Sequence, residues 1–173
     1  SGLPGLMLRS QSAVNFTSIL QPTNSVSGDY YNIVPISDTA VGIFICDVTG
    51  HGVRAALVTA IMRTLEEQLS HLASDPGVML TRMNRSLRVI LGHLGTSLLT
   101  TACYVVVDIS TGRLSFANAG HPSPLLLRET TTQVEAINDG YPAGPALGLL
   151  DETLYQSHEM PVDAGDVLFV FTD

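Results

Sequence analysis

Ile43-Phe44-Ile45-Cys46-Asp47-Val48-Thr49-Gly50-His51-Gly52 is the stretch on which the reading of this chain turns. An apolar run followed by Gly-His-Gly reads as a buried strand ending in a tight turn, where the backbone can come close to a ligand. The run delivers one carboxylate, Asp47, into that turn. A buried or half-buried Asp is rare unless it is paired, hydrogen-bonded or bound to a cation. Two readings therefore compete: Asp47 caps the next helix or braces the turn, or it belongs to a metal site. Two further stretches shift the balance toward the metal site. Gly28-Asp29-Tyr30-Tyr31 lies one hairpin upstream, and Phe169-Val170-Phe171-Thr172-Asp173 again runs an apolar strand into an Asp.

Working outward, the alternation of Val14, Phe16, Ser18 and Leu20 predicts a first strand within residues 12–22, with one wet face. Tyr30 to Ile36 and Val41 to Val48 predict two more, joined by Ser37-Asp38-Thr39 as an antiparallel hairpin. That hairpin sets Asp29, at the start of one strand, across from Asp47, at the end of the next. From Val53 the period changes to that of a helix, with Val53, Ala56, Leu57, Ala60, Ile61, Leu65, Leu69 and Leu72 on one stripe and an end near Ser74. Asp75-Pro76 supplies an N-cap and a proline at the first helical position of a second helix. Its apolar stripe is Met79, Leu80, Met83, Leu87, Ile90, Leu91 and Leu94, and the two methionines are read as core filler. Joined by so short a turn, the helices should lie antiparallel on one face of a sheet.

Strands resume at Leu98 to Ile109 and Leu114 to Ala117, followed by short runs at 124–128 and 133–137. The Gly- and Pro-rich segment 138–150 reads as a flap or rim loop, and strands are expected at 153–160 and 166–171. Strands, then two long helices, then more strands indicate an α+β fold, a sheet sandwich with helices outside, rather than an alternating parallel sheet.

The 173 residues suit one domain, and 45% of them are apolar, enough for a substantial core. A formal charge of −8 argues against a nucleic-acid or anionic-membrane surface, since few Lys or Arg are available to build a basic patch. Neither a membrane-length apolar stretch nor a basic-then-apolar leader occurs, so a cytoplasmic protein is expected. Cys46 and Cys103 sit in apolar strands, where free thiols behave as small hydrophobes. Both ends of the chain read as cut, and Val167 to Phe171, apolar on both faces, predicts a central strand whose missing cover would favour self-association as a homodimer.

Three Asp residues gathered at strand ends require something positive among them. Two carboxylates about 4 Å apart repel by about 4 kcal/mol at an effective dielectric near 20. A hard divalent cation removes that cost, and oxygen-only ligands favour magnesium or manganese over zinc. A pair of such ions suits in-line attack of water on a phosphoryl group, so the predicted reaction class is phosphoester hydrolysis.

Four motifs, taken together, resemble a family. Ser27-Gly28-Asp29-Tyr30-Tyr31, Asp47-Val48-Thr49-Gly50-His51-Gly52 with Ala55-Ala56-Leu57, Asn118-Ala119-Gly120-His121-Pro122, and Gly165-Asp166 leading to Phe171-Thr172-Asp173 are similar to the PPM-type (type 2C) metal-dependent serine/threonine phosphatases of the SpoIIE/RsbU branch. The resemblance spans nearly the whole chain. It implies a central antiparallel β-sandwich flanked by helices in α-β-β-α layers, two manganese or magnesium ions, and water as the nucleophile. By position it implies Asp29 as a metal ligand, Asp47 as the carboxylate bridging both ions, the Val48 backbone carbonyl as a further ligand, and Asp173 as a ligand of the second ion. Residues 1–173 would be one such domain, C-terminally truncated and lacking its last strands and a final metal-binding Asp. The implied substrate is a phosphoserine protein of the STAS-type anti-sigma-factor antagonist class, with a sensor or regulatory domain elsewhere in the parent chain.

His51 and His121 invite a general-acid role, although each lies in a Gly or Pro turn where bonding to backbone is the favoured reading. Asn118 reads as a turn brace, and Arg54 and Arg63 as surface charge. Two rival functions stand beside the phosphatase: a phosphatase-fold binding or regulatory module without turnover, and another two-metal hydrolase such as a nuclease. The acidic balance weighs against the second.

Overall fold

A computed structural model describes residues 9–11, 14–18, 28–94 and 98–172. Ten strands and two long helices occur among them. A short hairpin pairs β1 (Arg9–Gln11) with β2 (Val14–Phe16). The central sheet has five antiparallel strands in the order β3 (Asp29–Pro35), β4 (Ala40–Val48), β5 (Thr100–Asp108), β6 (Arg113–Ala119) and β9 (His158–Pro161). A second sheet orders β10 (Val167–Phe169), β7 (Leu125–Leu127) and β8 (Val134–Ala136).

Alternation along the central strands feeds two cores, because successive side chains point to opposite faces. On one face Phe44, Cys46, Val48, Ala102, Tyr104 and Ala117 pack under α1 (Val53–Gln68) and α2 (Pro76–Leu94). On the other, Ile45, Cys103, Val105, Leu114 and Phe116 meet Leu126 and Leu168 of the second sheet. Helix pair, sheet and sheet are three of the expected α-β-β-α layers; a helix layer outside the second sheet does not occur among the described residues.

The second helix begins as its sequence predicts. Asp75 Oδ1 accepts the backbone N–H groups of Gly77 (3.1 Å) and Val78 (3.2 Å), with Pro76 at the first helical position. Met79 and Met83 are fully buried.

Several expectations require correction. The first helix stops at Gln68, and residues 70–72 form a 3₁₀ turn rather than continuing to Ser74. Its buried stripe is Ala55, Val58, Met62, Leu65 and Glu66, whereas Val53 is 81% and Leu57 53% exposed. The helix is apolar on more than one face, so periodicity offered two stripes, and the buried one is disguised by a carboxylate. Residues 153–157 are irregular and only 158–161 pair in a strand. Among the described residues β10 is an edge strand rather than a central one, with Val167 and Phe169 exposed. Much of the first-strand expectation, residues 12–13 and 19–22, lies outside the described residues.

Candidate metal centre

Asp29 and Asp47 are direct partners in the last rung of the β3–β4 ladder. Such partners share a face of the sheet, with Cβ atoms about 4.5–5.5 Å apart. The next residue across is Thr101 of β5, paired with Asp47. By alternation all three lie on the Ile45 and Cys103 side, the face turned to the second sheet.

The chain after β10 reaches this rung. Thr172 Oγ1 donates to Asp29 Oδ1 at 3.0 Å, and His121 Nε2 lies 3.1 Å from the Phe171 carbonyl. The other ring nitrogen of His121 is 2.9 Å from Thr101 Oγ1. Residues 171–172 thus cross from the β6 turn to the first Asp. Asp173, the third expected ligand, and Ser27 lie outside the described residues.

Gly28 sets the local shape. Its carbonyl accepts the Val48 N–H at 3.2 Å and lies 3.0 Å from Thr59 Oγ1 of α1. A Cβ at residue 28 would stand 2.6 Å from the Val48 carbonyl oxygen and 3.3 Å from Asp47 Oδ1. Only glycine leaves that space open beside a carbonyl and a carboxylate. Two carboxylates on one face and a backbone carbonyl within a cradle that a side chain would fill are a donor set suited to a hard divalent cation. Among the described residues no cluster of three or more His, Cys, Asp or Glu side chains is placed to hold a metal ion, so Asp29 and Asp47 form a two-carboxylate arrangement there.

Asn118 Nδ2 donates to the His121 carbonyl (2.9 Å) and Asn118 Oδ1 accepts the His121 N–H (2.8 Å), bracing the turn. His121 is 4% exposed and holds its backbone and hydroxyl contacts, whereas His51 is exposed. Arg54 is exposed, and Arg63 pairs with Glu67 on the helix surface. The thiols offer no nucleophile. Burial, reinforced by Asp47 and Asp29, pushes the Cys46 thiol far up, and burial alone pushes Cys103 up to about 12.

Sequence reasoning missed three contributors. Thr101 and Thr59 are unremarkable in a strand and a helix. Glu66, 2% exposed, was hidden because a charged residue in a helix reads as solvated. Asp166, grouped with the motifs, lies at the second sheet: its side chain is 1% exposed, pairs with Arg128 (2.8 Å) and accepts the N–H groups of Glu129 and Asp163. Burial pushes its carboxyl up, but the Asp163 and Glu129 N–H groups and Arg128 outweigh this and hold it below the usual range.

The fold is that of a PP2C-type domain. Residues 37–173 match the model of Stage II sporulation protein E (SpoIIE), and the chain belongs to that family. It is 27% identical over 161 residues to phosphoserine phosphatase RsbP of Bacillus subtilis (strain 168), covering 92% of this chain and 39% of that protein. The SiaA-PP2C domain of Pseudomonas aeruginosa superposes with a TM-score of 0.67 at 26% identity, over 83% of this chain and 54% of the other. RsbX, solved in complex with magnesium, shares the fold with a TM-score of 0.71 at 14% identity, over 94% and 75% of the two chains. The chain spans half or less of the length of the curated relatives it matches.

Proposed function

We propose that this chain is a metal-dependent protein serine/threonine phosphatase domain that hydrolyses phosphoserine on a small regulatory protein of the STAS-type anti-sigma-factor antagonist class. The observation that carries the reading is the terminal rung: Asp29 beside Asp47, with Thr172 bonded to the first. A relative that is itself a phosphoserine phosphatase supports the substrate class, and a fold neighbour solved with magnesium supports the cation. In this reading residues 1–173 form one domain, since both cores share the central sheet.

Asp29, Asp47, the Val48 carbonyl and Asp173 would hold two manganese or magnesium ions, which supply charge neutralisation of the phosphoryl group and activation of water. The chain's own part is positional. The β3–β4 ladder fixes the separation of the carboxylates, Gly28 leaves room beside them, and Thr172 orients Asp29. His121, braced by Asn118, holds the 171–172 segment beside Asp29 rather than acting as a proton donor.

Hydrolysis of a chromogenic phosphate ester under manganese or magnesium titration tests the proposal. Turnover that needs the ion and disappears in chelator is expected. Metal binding without turnover would favour the binding-module reading, and full turnover in excess chelator would refute the metal mechanism.

A further inference from the structure

Glu66 is a buried carboxyl that the phosphatase reading leaves unused. It lies on the inner face of α1, 2% exposed, with no ion-pair partner among the described residues. Burying a carboxyl is costly unless hydrogen bonds compensate. Here they come from one strand. Tyr30 Oη donates to Oε2 at 2.7 Å, and Asn32 Nδ2 lies 2.9 and 3.1 Å from the two carboxyl oxygens. Tyr30 and Asn32 alternate with Asp29 and Tyr31 along β3, so α1 grips β3 from the face opposite the candidate centre.

The same helix holds the strand on the other side of Asp29. Thr59 Oγ1 lies 3.0 Å from both the Gly28 carbonyl and the Ala55 carbonyl of its own helix, its single proton shared between them. That Gly28 carbonyl also accepts the Val48 N–H, next to Asp47. Asp29 is therefore bracketed, with Thr59 at the residue before it and Glu66 at the first and third residues after it. Such support is needed there because Asp29 and Asp47 form the terminal rung, where a ladder frays and two like charges press the strands apart.

We propose that Thr59 and Glu66 are positioning residues, through which α1 holds the Asp29–Asp47 pair at the separation a shared cation requires. The role rests on the metal-centre reading but concerns residues that would touch neither ion nor substrate.

The test compares Thr59→Val, Glu66→Gln and Glu66→Ala with Thr64→Val in the full chain. Thr64 is a control because its hydroxyl bonds only Ala60 of the same helix. Amide hydrogen exchange at residues 29–32 is measured without metal, and manganese affinity by calorimetry. Thr59→Val should speed exchange by roughly five- to tenfold, as expected for losing one strand contact, and Glu66→Ala by more, since both Tyr30 and Asn32 lose their acceptor. They should weaken manganese binding by about ten- to a hundredfold, the usual effect of removing a group that orients a ligand. Glu66→Gln, which keeps an acceptor for Asn32, should recover most of both, and Thr64→Val should change neither. Should Glu66→Ala fail to fold, Thr59→Val decides the matter. Manganese affinity in Thr59→Val equal to that in Thr64→Val overturns the positioning role, whatever the exchange rates. A wild-type chain that binds no manganese at all refutes instead the metal centre on which the role depends.

Discussion

Replacing Gly28 by Ala tests the cradle with one methyl group. No left-handed φ is required at this position, so the backbone accepts Ala and the effect is steric. The new Cβ would stand 2.6 Å from the Val48 carbonyl oxygen, and reaching an ordinary contact of 3.4 Å requires a shift of about 0.8 Å. The opposing atom is backbone of a residue 1% exposed, so it cannot rotate aside. Overpacking of this kind costs about 1–3 kcal/mol, and a backbone obstacle places it at about 2–3. Reduced freedom of the unfolded chain returns about 0.4–1 kcal/mol. The net loss of about 1–2.5 kcal/mol lowers Tm by roughly 2–10 °C for a chain of this size. Displacement on that scale approaches the ~1 Å that can cost about a hundredfold in rate. Differential scanning calorimetry and manganese titration read both effects. Gly92→Ala in α2, where an added Cβ meets nothing within 4 Å, is the comparison and should raise Tm slightly. A Gly28→Ala protein that melts at or above the wild-type temperature and binds manganese as tightly would refute the cradle.

Asp47→Asn should reduce ester hydrolysis by far more than His51→Ala, since Asp47 shares the terminal rung with Asp29 and His51 is exposed; steady-state assays showing equal losses would restore a catalytic histidine. Asp166→Asn removes the charge that faces Arg128 and turns an amide N–H donor toward N–H donors, so about 1–3 kcal/mol of stability should be lost near neutral pH. Because the folded carboxyl titrates below its unfolded value of about 3.9, this stabilisation is present above that pH and fades as pH falls through the folded value. Thermal melts of wild type and Asp166→Asn should therefore converge in acid, and a gap that widens there would contradict the sign. Cys46 and Cys103, buried and with thiols pushed up, should resist alkylation at mild alkaline pH until denaturant is added, as mass spectrometry would show.

The sequence by itself determined the strand–helix–helix–strand order from Asp29 onward, the Asp29–Asp47 hairpin and the Asn118 brace, because period-two alternation, Gly turns and the Asp-Pro helix start act over a few residues. The four motifs likewise pointed to the family that the chain shares. What only the tertiary structure decided depends on contacts between distant residues. The sequence could not choose between two apolar stripes on α1, and the buried one contains Glu66 because Tyr30 and Asn32, more than thirty residues away, satisfy its carboxyl. Likewise Asp166 stood in the motif that leads to Asp173, yet Arg128 and the Glu129 and Asp163 amides hold it at the second sheet. Nor does local pattern reveal that Gly28 must be glycine, since the Val48 carbonyl that would meet a Cβ comes from the neighbouring strand, twenty residues on.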